Sequence, residues 1–474
     1  MLLRSSAFIG LTCLLFIVGA PATRGAPPSA TGPVSPIPTP PPPPTPEQLR
    51  VLAARMQTEV ETLRGASFKH PVDVGLFTES EVRDFLRQDL DGSASAAARR
   101  AHATCAHQLI GLIPPGCDVQ AAFEQMMMRF VPGGIYDHRS GALRIVHKPD
   151  LNVDSLSLRC VLVHELVHAL DDQYFDFRKF LEDDAVTSDM EHVWGAVFEG
   201  SAVVVQEAYT AQRRRSGDFP AQVFEQLNAE GAEQMRTLAE SPAHVAVWVA
   251  RFPCGIRFLL HQQPGAFLRL VTGLGGPPSI GPAVEAAAGN LPRSFEQVLH
   301  PEKYWAAATR DEPVRIDDAA VEALLARAHL RVVFRDTLGE LLCCLLTTPA
   351  DRKFNPLELS MPTTWTNPAA AGWGGDRLFL VTAADAPEVA QPEPAAFGCV
   401  WFTMWDTPAD CAEFIAAYRA HRPEAAADVM SLGERGAVFL HRLSGPRLEA
   451  LRTSLPTEPP TCTHAGRPWS FRSP

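Results

Sequence analysis

Three residues in the segment VLVHELVHALDDQYFD (161–176) have the types and spacing of a zinc site. His164 and His168 are four residues apart, so on a helix both imidazoles lie on one face and reach a single ion. Glu165 would lie beside that ion, where it can take a proton from a zinc-bound water. The HExxH pattern therefore predicts metal-assisted hydrolysis, with a chance match on an apolar helix as the alternative.

A catalytic zinc usually has three protein ligands, so a third is needed. Glu199 in FEGSA is the best candidate, because it is a carboxylate in a second apolar helical segment and a buried acid needs a partner. A buried arginine is the alternative partner for Glu199. His192 lies seven residues earlier on the same helical face and either competes as a ligand or assists at the site. Cys160 is better explained as a small apolar core residue.

Two elements should position these residues. The HExxH segment has apolar residues on nearly all sides, which is typical of a buried helix, with Asp154 or Ser155 as its N-cap. The preceding segment 133–148, GGIYDHRSGALRIVHK, predicts a β-hairpin with its second strand near Ala142–His147. That strand either pairs with an extended substrate or is purely structural.

Strands and helices predict an α+β fold with two folded regions. Residues 47–330 read as a mostly helical region with a β-hairpin and the candidate metal site. Strands interleaved with short helices predict a smaller C-terminal α+β domain over residues 331–456, followed by a tail at 457–474.

The first 46 residues indicate export. One positive charge precedes a short apolar run and small residues, so residues 1–26 are predicted to be a signal peptide, with an uncleaved anchor as the alternative. The proline-rich residues 27–46 predict an extended linker. We therefore expect a periplasmic, cell-envelope or extracellular protein, without an integral membrane domain after signal removal.

Charge and cysteine content limit the partners and the redox state. The formal net charge is −12, with 42 Lys+Arg against 54 Asp+Glu, which argues against nucleic acid as a partner. The chain has ten cysteines. In an exported chain some of them are expected to form disulfides.

Several motifs resemble those of exported bacterial gluzincin-type (HExxH…E) metallopeptidase-like proteins, a largely uncharacterised family. The resemblance is carried by H-E-L-x-H-A-L-x-D-Q-x-F-D and by the downstream E-G-x-A. It extends over scattered motifs from about residue 108 to 420, namely GLIPPG, IYDHRSGALRIV, AGWGGDR and WDTPADCAEF.

The resemblance implies a zincin-like core with one zinc ion per chain, held by His164, His168 and Glu199, and Glu165 as general base. Well-known gluzincins carry the third ligand as E-x-x-x-D, but here Val203 stands at the aspartate position. The carboxylate that supports a metal-binding histidine would then come from the helix end after the motif. The candidates for this support, or for stabilising the transition state, are Asp171, Asp172, His192, Tyr174, Tyr209 and Arg377.

The leading hypothesis is an exported zinc metallopeptidase that hydrolyses peptide or protein substrates. The second hypothesis is a non-catalytic secreted or cell-envelope binding protein that retains a zincin-like fold. The third is a structural protein in which HExxH is accidental.

Overall fold

A computed structural model describes most of the chain, and the predicted signal peptide lies outside the residues it describes. The same is true of the linker up to residue 43 and of the tail from residue 463. The described residues are 44–91, 94–117, 121–122, 133–147, 152–266, 269–270, 278–387, 393–425 and 427–462. Over these residues the protein is a mixed α+β structure, mostly helical, with sheets of three and five strands.

The first part of the chain builds a three-stranded sheet with helices packed beside it. Its elements are α1 (Pro46–Arg64), β1 (Asp73–Phe77), α2 (Glu79–Asp91), α3 (Ala94–Leu109), β2 (Gly134–Asp137) and β3 (Ala142–Val146).

The predicted hairpin is confirmed as the antiparallel pair β2–β3, but β3 is not available to a substrate. Strand β1 pairs with β3 in parallel along its other side, from Asp73 opposite Ala142 to Phe77 opposite Val146. Because both edges of β3 are paired, the expectation that it binds an extended substrate is wrong. Strand β2 forms the sheet edge that packs against the next helix.

In the described residues from 152 to 305, helices follow without further strands. They are α4 (Leu156–Phe175), α5 (Phe177–Leu181), α6 (Ser188–Ser216), α7 (Ala221–Ala239), α8 (Ala243–Ala246), a 3₁₀ turn (Val247–Ala250), α9 (Arg251–Leu259), α10 (Gly281–Gly289), α11 (Phe295–Leu299) and α12 (Glu302–Trp305).

Helix α4 carries the HExxH motif and is buried, as its apolar surface predicted. Of the two predicted caps, Asp154 and Ser155, the N-cap is Ser155, whose side chain accepts from the Leu158 N–H. Helix α6 carries Glu199 and is buried from Ser188 to Thr210. Asp171 of α4 contacts Ser201 of α6, and the earlier residue Cys160 contacts the later residue Thr210. The two helices therefore run antiparallel.

The C-terminal part contains the five-stranded antiparallel sheet, in the order β5-β6-β7-β9-β8. Its elements are β4 (Arg315–Ile316), α13 (Asp318–Arg327), β5 (Leu330–Asp336), α14 (Gly339–Leu346), α15 (Pro356–Leu359), a 3₁₀ turn (Pro362–Trp365), β6 (Trp373–Ala383), a 3₁₀ turn (Pro394–Ala396), β7 (Gly398–Trp405), α16 (Pro408–His421), a 3₁₀ turn (Pro423–Ala425), β8 (Ala427–Leu432), β9 (Gly436–His441), α17 (Gly445–Ser454) and β10 (Thr461–Cys462).

The two faces of this sheet are buried against different parts of the molecule. One face, with Trp401 and Phe439, belongs to the large core that also contains α4 and α6. The other face, with Phe402 and Val438, packs with α13 and α17 in a second cluster. Side chains that precede and follow residue 330 in the chain therefore pack in one core. The domain boundary at residue 330 remains a prediction.

Eight cysteines have described side chains; no disulfide joins any two of them, and seven of the eight are buried. The expectation of disulfides is wrong for these eight. Burial raises the pKa of the Cys160 thiol to about 12, which leaves it protonated and unreactive. Among the described residues, no helix is long and apolar enough to cross a membrane.

Candidate metal centre

Three predicted ligands converge where α4 crosses α6. The Nε2 atoms of His164 and His168 are 3.0 Å apart. The Glu199 Oε2 atom lies 3.3 Å from His164 Nε2 and 3.5 Å from His168 Nε2. The three side chains are buried, with exposed fractions of 0, 1 and 3%.

These separations fit a zinc ion. With zinc–ligand distances of about 2.0–2.1 Å, the ligand atoms of a tetrahedral site lie about 3.3 Å from one another. The three observed separations bracket this value. Two imidazole nitrogens and one carboxylate oxygen are also a donor set that zinc accepts, so the residues fit the ion that the sequence predicts.

Charge interactions keep the Glu199 carboxyl ionised despite its burial. Burial raises its pKa, but His168 and His164 outweigh this effect, and the pKa lies below its ordinary value. Burial lowers the pKa of both histidines. For His164, the hydrogen bond and charge of Glu199 reverse the shift, whereas the pKa of His168 stays lowered. The site therefore presents one fixed negative charge next to two nitrogen donors.

Glu165 is held against the edge strand β2. The Tyr136 N–H donates to Glu165 Oε2 at 2.9 Å, and the Glu165 side chain is fully buried. Strand β2 comes this close because residue 134 is glycine. A Cβ atom there would lie 2.9 Å from Val161 Cγ1 and 3.0 Å from Glu165 Cγ. The hairpin thus positions the proposed base through its backbone.

Gln206 is a site residue that the sequence analysis missed. Its Oε1 atom lies 3.0 Å from His164 Nδ1. A glutamine oxygen accepts only, so the Nδ1–H of His164 donates to it, and Nε2 is the ring nitrogen that faces the other two ligand atoms. Gln206 lies seven residues after Glu199, so the spacing argument that selected His192 would also have selected it.

The two aspartates after the motif tether other elements to α4 and hydrogen-bond to neither histidine. Asp171 is buried and accepts from Arg64 of α1, Nε at 2.9 Å, and from Ser201 of α6 at 2.8 Å. Asp172 accepts from the Tyr136 hydroxyl at 2.7 Å. The DDQ segment therefore fixes the positions of α1, α6 and β2 relative to the HExxH helix.

We expect Tyr136→Phe to destabilise the protein by about 1.5–3 kcal/mol, because it removes a buried hydrogen bond to a charged group. Tyr304→Phe is the matched control: its hydroxyl is also buried but donates to the neutral Asn290 carbonyl at 2.7 Å. That change should cost about 0.5–1.5 kcal/mol. Urea unfolding of both variants measures the difference, and a Tyr136 variant no less stable than the control would show that the tether is weak.

The remaining candidate support residues lie away from the three ligands. Tyr174 is 38% exposed and donates to the Ser67 carbonyl. Tyr209 is buried ten residues further along α6, about 15 Å from Glu199 along the helix. Arg377 forms a bidentate ion pair with Asp318 at 2.7–2.8 Å. His192, seven residues before Glu199, accepts from Arg251 Nε at 3.4 Å and is not part of the group of three converging ligands.

Arg377 and Asp376 line a different space, a cavity of about 480 Å³. Thr187 and Asp189, at the N-terminal end of α6, also line it. Asp189 precedes Glu199 by ten residues, about 15 Å along the helix. This cavity is separate from the metal centre.

A second group of carboxylates, formed by Glu296, Asp311 and Asp406, could hold a metal by its spacing alone. The Lys303 ammonium lies between them, at 2.6, 3.0 and 3.3 Å from the three side chains. A lysine ammonium therefore already takes the position among these carboxylates that a cation would take.

Among known proteins, a match exists for the C-terminal part of the chain. A family model described as a domain of unknown function (DUF8575) matches residues 318–447. No curated protein and no solved structure matches the chain. The matched residues begin with α13 and include the five-stranded sheet, whereas the metal centre lies outside them.

Proposed function

We propose that the protein is an exported zinc metallopeptidase of gluzincin type. The observation that carries this proposal is the convergence of His164, His168 and Glu199 on one point, with Glu165 held beside them by the Tyr136 N–H. Two separate helices and one strand are needed to assemble these groups. This arrangement supports a functional site rather than a chance HExxH sequence.

In the proposed reaction each residue has a defined task. His164, His168 and Glu199 would hold one zinc ion, which supplies a Lewis acid that polarises the scissile carbonyl and acidifies the attacking water. Glu165 takes the proton from that water and transfers it to the leaving amine. Gln206 fixes the tautomer of His164, and Tyr136 fixes the position of Glu165. The substrate would be a peptide or protein.

A non-catalytic secreted or cell-envelope binding protein is the second candidate, and one observation favours it. The four side chains of the site are at most 3% exposed, so a substrate needs a rearrangement to reach them. A structural metal site needs no such rearrangement.

Hydrolysis of a denatured, fluorescently labelled protein separates the two candidates. The peptidase proposal predicts cleavage that a zinc chelator abolishes and that added zinc restores. Zinc binding without cleavage would favour the binding protein. Cleavage that persists after zinc has been removed would contradict a zinc-dependent mechanism.

A further inference from the structure

The cavity beside the N-terminal end of α6 has the size and the lining of a small-molecule site. It measures about 480 Å³ and lies between α6, β4 and the first residues of α13 and β6. Met190, Leu291, Val314 and Trp373 give it apolar walls. Small-molecule sites usually measure about 300–1,000 Å³ and are mostly apolar, with a few polar groups that fix the ligand. The polar groups of this cavity that lack a partner therefore decide which ligand it takes.

Most charged side chains of the cavity already have partners. The Arg377 guanidinium is paired with the Asp318 carboxylate, and Arg293 Nε lies 3.2 Å from the oxygen of a glutamate outside the cavity. Asp376 accepts from two backbone N–H groups and from two tryptophan indoles. Asp317 accepts from two N–H groups at the start of α13. These contacts satisfy the four side chains within the fold.

Asp189, in the first turn of α6, differs from the other acids of the cavity. Its side chain lines the cavity and is only 1% exposed. Oδ1 accepts from the Phe295 N–H at 3.0 Å. Within the part of the chain that the structure describes, Oδ2 has no hydrogen-bond partner, and no lysine, arginine or histidine pairs with the carboxyl group. Because a buried carboxyl group without a partner is costly, Asp189 is the lining residue that a ligand would satisfy.

The charges around Asp189 favour a cation. Burial raises the pKa of its carboxyl group well above the ordinary value, and the neighbouring carboxylates of Asp376, Asp336 and Glu340 raise it further. A positive charge beside Asp189 would offset both effects. Arg315, the third arginine of the lining, is exposed and does not supply this charge.

The ligand atoms and the walls of the cavity indicate an organic cation rather than a metal ion. Asp189 belongs to neither of the groups of described residues whose spacing could hold a metal. Magnesium and calcium ions take about six to eight oxygen ligands, whereas the oxygens of Asp317 and Asp376 are already engaged by N–H groups. The apolar walls are instead suited to a hydrocarbon group.

We propose that this cavity binds a small organic ammonium ion, whose charged group pairs with Asp189 and whose apolar part packs against Met190, Leu291 and Trp373. This inference goes beyond the proposed peptidase activity and does not depend on it. Asp189 and Glu199 are ten residues apart on α6, about 15 Å along the helix, so the two sites are separate.

Isothermal titration calorimetry with three ligands of similar shape tests this inference. Benzylamine is the ammonium probe, benzyl alcohol is its neutral counterpart and benzoate is the anionic one. Benzylamine should bind the wild type with a Kd of about 1 mM or lower, the range expected for a ligand of this size. Benzyl alcohol and benzoate should bind about 10–100-fold more weakly, because neither brings a positive charge to Asp189.

Asp189→Asn should weaken benzylamine binding by about 10–100-fold, because it removes the charge and keeps the size of the side chain. Its amide oxygen can still accept from the Phe295 N–H. Asp317→Asn is the matched control: it removes one charge from the same lining, asparagine can still cap α13, and the affinity should change less than about threefold. Glu199→Gln changes only the metal centre and should bind benzylamine like the wild type.

Failure of benzylamine to bind the wild type, or equal binding of benzylamine and benzyl alcohol, would overturn the inference. Stronger binding of benzoate would also overturn it, and none of these comparisons requires a variant to fold. Wild-type affinity for benzylamine in a folded Asp189→Asn protein would do the same, as would an equal loss in Asp317→Asn or Glu199→Gln. A wild type that binds benzylamine as expected but binds no zinc would support this inference and overturn the proposed function.

Discussion

Glu165→Gln is expected to lower the rate of peptide-bond hydrolysis by about 10²–10⁴-fold, the usual contribution of a general base. The amide keeps the size of the side chain and can still accept from the Tyr136 N–H, so the fold should not change. The amide cannot take a proton from the attacking water. Because residue 165 is not a ligand in this arrangement, zinc should still bind.

Glu207→Gln is the control for this variant. Glu207 lies on α6 and is buried, and burial raises its pKa to about 8, so at neutral pH the neutral amide replaces a mostly neutral acid. Activity should match the wild type. Equal rates in the Glu165 variant and the wild type would show that another group takes the proton.

Glu199→Gln should weaken zinc binding by about 10²–10³-fold. Structural zinc sites bind with about 10–16 kcal/mol over four ligands, which is about 2.5–4 kcal/mol for each. Glutamine keeps the shape of the side chain but lacks the charge that two histidines and a metal ion require. Chelator competition measures the change, and Glu207→Gln again serves as the control on the same helix. If Glu199→Gln bound zinc as tightly as the wild type, the third ligand would lie elsewhere.

Local patterns in the sequence predicted the residues that share one helix. The i, i+4 spacing placed His164 and His168 on one face, and the buried position of Glu199 predicted that it needs a partner. The first rule depends on helical geometry, and the second on the cost of burying a charge. Apolar patterns along the chain likewise predicted the buried helices α4 and α6, and strand and turn signals predicted the hairpin.

Contacts between distant segments could not be predicted in this way. Arg64 and Asp171 are 107 residues apart, and β1 joins the hairpin from 69 residues earlier in the chain. Neither pairing leaves a periodic signal in one sequence. The position of β3 in the centre of its sheet and the role of the DDQ segment as a tether therefore emerge only from the fold.

The prediction that some cysteines form disulfides was wrong for a related reason. It followed from the class of exported proteins and the number of cysteines, not from geometry. In the fold, Cys160 lies beside Thr210, and Cys343 and Cys344 are buried in α14. A count cannot show which thiols come close enough to bond.

Zinc content of the purified wild-type protein, measured after removal of loosely bound metal, tests the central claim most directly. We expect about one zinc ion per chain, because three ligand atoms from α4 and α6 lie 3.0–3.5 Å from one another. A protein that carries no zinc, and takes up none when zinc is supplied, would contradict the metal centre and the peptidase proposal built on it.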